Sequence, residues 1–486
     1  MGRRFEHLGL EVRDDDKGRG LYCTRSFAAG ELLLVGAVCC EAPLLVGLPE
    51  LWKSSCAKCF ATEFDDELRS CKEYARGHKE DNWQELVCYA LSISRLLRLL
   101  HSGLDPPTSR CASVAVSLDD LAELCTPNED VWEDLEGFAE LLAASPLNSL
   151  FPADLHGPDL ATVISHCYEQ LACNSFLICG PAEKPVGQLC DPISGLLNHS
   201  CKPNAAMVWQ VPVNGRTHMV RCIRDLQAGE EVLISYVDPS RPWWIRQPTL
   251  KASYGFICDC VVCGEINAWE RAVGSRADLP LPPGITASIA AVTAADGTVL
   301  LVSEEKTRGV CAFLNREMGI AVQAASDKDI RHVADAAITV GRLSAADSLQ
   351  RGAAEAQRRI EQLRPAMQTL LQLLGPQHML LRELTSVLRL AEVAGDWNIC
   401  VDLAPVVLAS LAITDGEMSS RKADILAILA VAKLRTAADD GALQRAHAEG
   451  RHVFEMLGRF YGEQLPQHAP RTWLRQLLVM DLDSMD

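Results

Sequence analysis

The alternation of apolar and polar positions changes rhythm several times along this chain, and each change marks a boundary. Residues 8–48 carry short β-like apolar runs separated by turn signals. In DDDKGRGLYCTRSFAAGELLLV, Gly18 and Gly20 break the chain before one strand, and Ala29-Gly30 turns it into the next. Residues 52–88 are charged, polar and cysteine-bearing. From about 83 to 172 the apolar spacing becomes helical, as at Leu96, Leu99 and Leu100, then Leu135, Phe138, Leu141 and Leu142. Residues 173–237 return to short β segments, with turn signals at Gly187, Asn204, Asn214-Gly215 and Gly229. A stretch rich in Trp, Pro and Cys runs on to 263, and roughly 267–300 reads as a loose Pro/Gly/Ala region. The rest is helical: Leu380, Leu384, Val387, Leu388 and Ala391 share one apolar face, and Ile425, Ile428, Leu429 and Ala432 another.

Length sharpens this picture. A chain of 486 residues exceeds one ordinary core, so two or three packed units are expected. A hydrophobic content of 48% with scattered charge fits a globular chain rather than a disordered one. The net charge of -18 argues against a nucleic-acid backbone as main partner and favours basic peptide segments. MGRRFEHLGL holds no apolar core of signal-peptide length, and Glu6 stands where a myristoylation signal wants Ser or Thr. The apolar stretch 32–40, between Glu31 and Glu41, suits buried strands rather than a membrane span. The expected setting is therefore cytoplasmic and/or nuclear, without membrane contact, and the expected state a monomer.

Cysteine is the residue whose distribution carries chemistry. There are 20, and beyond Cys263 only Cys311 and Cys400 remain, so the metal-capable part of the chain ends near 263. Without a signal for an oxidising compartment, reduced thiols and metal sites are expected over disulfides. YGFICDCVVC sets Cys258, Cys260 and Cys263 in a C-x-C-x2-C array, which one short loop can turn onto a tetrahedral ion. Spacing alone leaves the fourth ligand open; Cys201 is one of several candidates. A second group, Cys56, Cys59, Cys71 and His78 with Cys88 farther on, could hold a zinc ion or none.

KGRGLY at 17–22, NSF at 174–176, GLLNHSCKPN at 195–204 and GEEVLISY at 229–236, with the cysteine array behind them, stand in one order. This ordered set closely resembles the SET–MYND (SMYD-type) protein-lysine methyltransferases, strongly over about 8–48 and 170–263. The resemblance implies an α+β fold: a β-rich SET core split by a zinc-finger remnant and a helical insert, plus an all-α, TPR-like C-terminal domain. No clean 34-residue repeat supports the TPR likeness, and a plain helical bundle fits as well. The implied divisions are 8–50 and 173–240 for the SET core, 51–90 for the degenerate MYND-like segment and 91–172 for the insert. The post-SET zinc segment follows at 241–265 and the helical domain at 266–486.

By the same resemblance, the chain transfers methyl from S-adenosylmethionine to the ε-amine of a lysine in a protein. Lys17, Gly18 and Arg19 would line the methionine end of the cofactor, and Asn174, Asn198 and His199 would contact it. Phe256 would pack on its adenine, Tyr236 would be the catalytic tyrosine, and Phe176 and Tyr254 would wall the lysine channel. Cys201 would join Cys258, Cys260 and Cys263 on one structural zinc ion. The finger departs from its family: residues 56–81 offer only Cys56, Cys59, Cys71 and His78 in matching order, and Asp81 replaces a final cysteine. That departure raises a rival expectation, a catalytically inactive SET-fold adaptor that binds partners through its helical domain. Methylation of a non-protein or terminal amine is a third.

Overall fold

The computed structural model describes residues 5–15, 18–36, 40–43, 135–144, 159–179, 185–210, 217–239, 241–273, 279–344, 352–411 and 420–461, with isolated positions between them. Lys17, the Cys56, Cys59, Cys71, His78 and Cys88 group, and Asp81 lie outside these residues. The chain divides into two compact units. The first comprises 1–199, 204–234 and 248–257; the second comprises 200–203, 235–247 and 258–486.

The first unit is built from short strands. β1 (Leu10–Asp15) and β2 (Gly18–Cys23) form an antiparallel hairpin from Leu10↔Cys23 to Asp15↔Gly18. Gly18 has φ +95, a left-handed value that a side chain would strain, so glycine suits the end of so tight a reversal. β3 (Leu32–Val35), β9 (Thr217–Cys222) and β8 (Ala205–Gln210) make one antiparallel sheet with β9 in the middle. β4 (Cys40–Pro43), β6 (Pro185–Cys190) and β5 (Ser175–Cys179) make another, with β6 in the middle. β7 (Asn198–His199) and β10 (Leu233–Ile234) pair in parallel. Helix α1 (Leu135–Ala144) packs here on α2 (Leu160–Asn174), which buries Leu160, Ile164, Cys167 and Leu171.

The Trp-rich stretch, for which the pattern assigned no element, holds helix α3 (Trp243–Tyr254). The unit boundary runs through it, after Gln247. The second unit continues with α4 (Val261–Val273), α5 (Pro283–Ala290), α6 (Glu304–Arg316), α7 (Asp327–Leu343) and α8 (Ala353–Leu373). It ends with α9 (Thr385–Ala394), α10 (Trp397–Leu411), α11 (Ser420–Thr436) and α12 (Asp440–Tyr461). From α7 onward each helix packs chiefly on its neighbours in sequence, over a core that includes Val333, Leu363, Leu388, Leu403 and Ile428.

Two details depart from the periodicity. The region 267–300 is less loose than its composition suggests: α4 runs into it, and α5 begins with a proline in its first turn and buries Ile285. Proline is tolerated there because the first turn has no intrahelical partner for its missing N–H. The apolar face at 380–391 is not one helix but a 3-10 turn, Met379–Leu384, followed by α9. Buried His378 precedes that turn: its Nδ1 accepts from the Leu380 amide at 3.2 Å, and its Nε2 lies 2.6 Å from the Leu300 carbonyl oxygen. Among the described residues no helix is long and apolar enough to cross a membrane.

Candidate active site and metal centre

β7 is only two residues long, so its backbone ladder cannot by itself fix Asn198 and His199; side chains do much of that. Asn198 Nδ2 donates to the Arg19 carbonyl oxygen on β2 at 3.2 Å and to Glu231 Oε1 at 2.8 Å. Both partners only accept, so the amide nitrogen must face them. Gly20 makes room for this meeting: a Cβ there would stand 2.7 Å from Glu231 Oε1 and 3.0 Å from Asn198 Nδ2. Asn204 then fastens the strand opposite, donating from Nδ2 to the Glu231 carbonyl at 2.8 Å and accepting the Leu233 amide on Oδ1 at 2.8 Å. Glu231 and Asn204 stand inside the motifs, yet nothing in their spacing singles them out.

His199 is half-buried, with its ring 5.9 Å from that of Phe256, which in turn lies 6.5 Å from Tyr254. These three rings form one aromatic group in the first unit. Burial, with a lesser contribution from Cys173, pushes the Tyr254 phenol above its ordinary value, so it stays protonated. Asn174 ends α2, buried, with Nδ2 donating to the Gln170 carbonyl at 2.7 Å. Its Oδ1 would lie 3.1 Å from a Cβ on Gly195, so the residue abuts the 3-10 turn Ser194–Leu196 that leads into β7.

That turn has its own buried anchor. Asp191 Oδ2 accepts from Ser194 Oγ at 2.7 Å and lies 2.8 Å from His218 Nε2, while Oδ1 accepts the Ile193 amide at 3.0 Å. The side chains of Asp191 and His218 have no exposure at all. His218 on β9 also stacks near Phe176 on β5, with ring centroids 6.5 Å apart. Gly36 is obligatory beside them, since a Cβ would come within 1.9 Å of His218 Nε2. Asp191, Ser194 and His218 carried no sequence signal, being ordinary polar residues 3 to 27 positions apart.

Tyr236, half-buried, stands two residues beyond β10 and belongs to the second unit. The four cysteines of the first cluster, Cys201, Cys258, Cys260 and Cys263, belong to the second unit as well, and their sulfurs all lie within 4.8 Å of one another. Cys201 Sγ is 3.9 Å from Cys258 Sγ and 3.6 Å from Cys263 Sγ. Zinc–sulfur bonds of about 2.3 Å in a tetrahedron separate sulfurs by about 3.8 Å, so the donor set fits zinc. The neighbouring sulfurs pull Cys201 and Cys260 below the ordinary thiol value and hold the proton on Cys263. Such a cluster gives up its protons to a cation. Gln247 on α3 clasps the loop with both ends of its amide: Nε2 donates to the Cys258 carbonyl at 2.8 Å, and Oε1 accepts the Cys258 amide at 2.9 Å.

Known proteins resemble this chain over its β-rich part. The family model of the SET domain matches residues 18–237. Over that stretch this chain is similar to SET domains. It is similar to N-lysine methyltransferase SMYD2-B of Xenopus laevis, 29% identical over 279 residues, or 52% of this chain and 60% of that protein. Histone-lysine N-methyltransferase SMYD3 of Mus musculus is 38% identical over 96 residues, covering 20% and 22% of the two chains. Histone-lysine N-methyltransferase ATXR4 of Arabidopsis thaliana is 25% identical over 292 residues, covering 51% and 84%. The matched stretch thus spans about 60% of the SMYD2-B length. The resemblance to SMYD-type SET methyltransferases, and the α+β fold with its helical C-terminal region, both stand.

Proposed function

We propose that this chain is a protein-lysine methyltransferase that uses S-adenosylmethionine and methylates basic segments of a protein substrate. The observation that carries the reading is the fastening of the Asn198–His199 strand to the Arg19 carbonyl, within the stretch similar to SET domains, beside the Phe256 and Tyr254 rings.

When bound, S-adenosylmethionine supplies a methyl group on a sulfonium. The chain's own residues would do the rest. Gly18, Arg19, Asn198 and His199 would hold the donor, with Phe256 against its adenine; Lys17 and Asn174 belong to the same proposed set. Phe176 and Tyr254 would wall the lysine channel. A lysine ammonium has an ordinary pKa of about 10.4, and an aromatic, dehydrated channel favours loss of its proton. The Tyr236 hydroxyl would orient the neutral amine for in-line attack, where positioning supplies much of the rate. Cys201, Cys258, Cys260 and Cys263 would hold a structural zinc ion that stiffens the loop after Phe256. The division of the chain into a split SET core, insert, zinc segment and helical domain is part of the same proposal.

Calorimetry with S-adenosylmethionine tests the reading, followed by labelling of a proteome extract and mapping of the labelled residue. The expected outcome is saturable cofactor binding, label on lysine, and loss of turnover with retained binding in Tyr236→Phe. Absence of cofactor binding would leave the partner-binding adaptor as the better description, and label on a terminal amine would replace the lysine reading.

A further inference from the structure

We infer that the ion pair between Asp238 and Arg382 is a positioning device through which the helical region sets Tyr236; this rests on the methyltransferase reading above. Tyr236 and Arg382 lie in the same compact unit, although 144 residues separate Asp238 from Arg382 along the chain. Tyr236 has no strand of its own. Its backbone is carried by a short looped segment, and each end of that segment is gripped by an identified side chain.

On the near side, Ser235 Oγ donates to the Val237 carbonyl at 2.7 Å and closes the loop around Tyr236. On the far side, Asp238 begins a turn in which the Arg241 amide donates to the Asp238 carbonyl at 3.1 Å. Arg246 of α3, itself buried, donates to the carbonyls of Pro239 and Arg241 and holds that turn from within. The Asp238 carboxylate then receives Arg382 Nη1 at 2.5 Å. With side-chain exposures of 23% and 15%, the pair is screened from water far more than a surface pair, so the attraction is correspondingly less diluted.

Arg382 is presented by a rigid platform. It stands in the 3-10 turn Met379–Leu384, where Leu381 and Leu384 are buried on either side of it. The entry to that turn is locked by His378, whose two ring nitrogens meet the Leu380 amide and the Leu300 carbonyl. The helical region therefore holds a charge in a fixed place two residues from the proposed catalytic tyrosine. Displacement of a reacting group by about 1 Å can cost on the order of 100-fold in rate, so this tie bears on turnover. Arg382 touches neither substrate nor cofactor in this scheme and acts through Tyr236.

The test uses the full chain with Arg382→Ala, Arg382→Lys and Asp238→Asn. The expected result is a fall in kcat of about 10- to 100-fold for Arg382→Ala, with S-adenosylmethionine affinity within about twofold of the parent. Arg382→Lys, which keeps the charge and loses the planar fork, should lie between. Combining Arg382→Ala with Asp238→Asn should cost no more than Arg382→Ala alone, because both act on one interaction. Hydrogen exchange over 235–241 should quicken in Arg382→Ala while β1 and β2 are unchanged. Unchanged exchange over 235–241 in both Arg382 variants overturns the proposal, as do strictly additive losses in kcat. These outcomes differ from failure of the underlying reading, which shows as a parent protein that binds no S-adenosylmethionine.

Discussion

The β unit and the helical region solve the same problem, holding a fold together, by opposite means. In the first unit β7 and β10, which carry or flank part of the proposed cofactor contacts, are two residues long, and individual polar groups complete what their ladder cannot. Asn198, Asn204, Glu231 and Asp191 each satisfy two or more partners there. In the second unit, helices of 8 to 22 residues bury ridges of Leu, Val, Ile and Ala. A polar network places atoms to within a hydrogen bond's tolerance but concentrates its stability in few groups. An apolar ridge spreads stability over many contacts and specifies position less sharply. The proposed cofactor contacts of the first unit therefore sit where positioning is worth most, and the helices of the second supply bulk with a few polar exceptions.

Four substitutions put that contrast to the test. Asp191→Ala should be the most damaging, at about 4 kcal/mol, because it removes the buried acceptor shared by the Ser194 hydroxyl and the His218 ring, leaves those two only each other at 2.8 Å, and takes the acceptor from the Ile193 amide. Urea denaturation followed by circular dichroism reads this; a loss under 1 kcal/mol would show that the network is dispensable. Leu388→Ala in the helical core, a fully buried position, should cost about 3 kcal/mol in the same assay. A cost equal to or above that of Asp191→Ala would reverse the comparison.

Next comes a pH effect within the helical region. Burial drives His378 down to about 4, only partly opposed by its bond to the Leu300 carbonyl. The folded protein thus keeps the ring neutral where the unfolded chain, with an ordinary value of 6.5, already binds a proton. Acid favours the unfolded chain through this residue. Its stability is whole above the unfolded value, declines as pH falls, and is reduced by roughly 3 kcal/mol by pH 4. His378→Asn should flatten the denaturation profile between those two values; an unaltered slope contradicts the assignment. The smallest effect belongs to Lys433→Ala, which removes an exposed pair with Glu449 and should change stability by about 0.5 kcal/mol or less. A larger loss would mean that surface pairs, not the apolar ridge, hold α11 on α12.

How much of this could be read in advance depends on the range of the interaction. The helices α9 and α11 were legible because Leu388 and Ile428 repeat their neighbours' chemistry at a fixed local spacing. The 3-10 turn before α9 was not, because His378 imposes it by reaching a carbonyl 78 residues away. Gly18, Asn198, His199 and Tyr236 entered as candidates through motif order and the resemblance it carries, which also named Cys201. Glu231 and Gln247 were passed over, and Asn204 was read only as a turn signal, because acidic and amide residues are common and their partners are not adjacent in sequence.

What the chain determines by itself is therefore local: the period that makes a helix, the glycine that permits a turn, and the three thiolates that one loop can aim at a single ion. Folding alone decides which fourth sulfur completes that set, which carbonyl orients Asn198 and which guanidinium meets Asp238. The reason is geometric, since spacing limits only what a short loop can reach. Encounters across tens or hundreds of residues exist only once packed elements have fixed the distances between them.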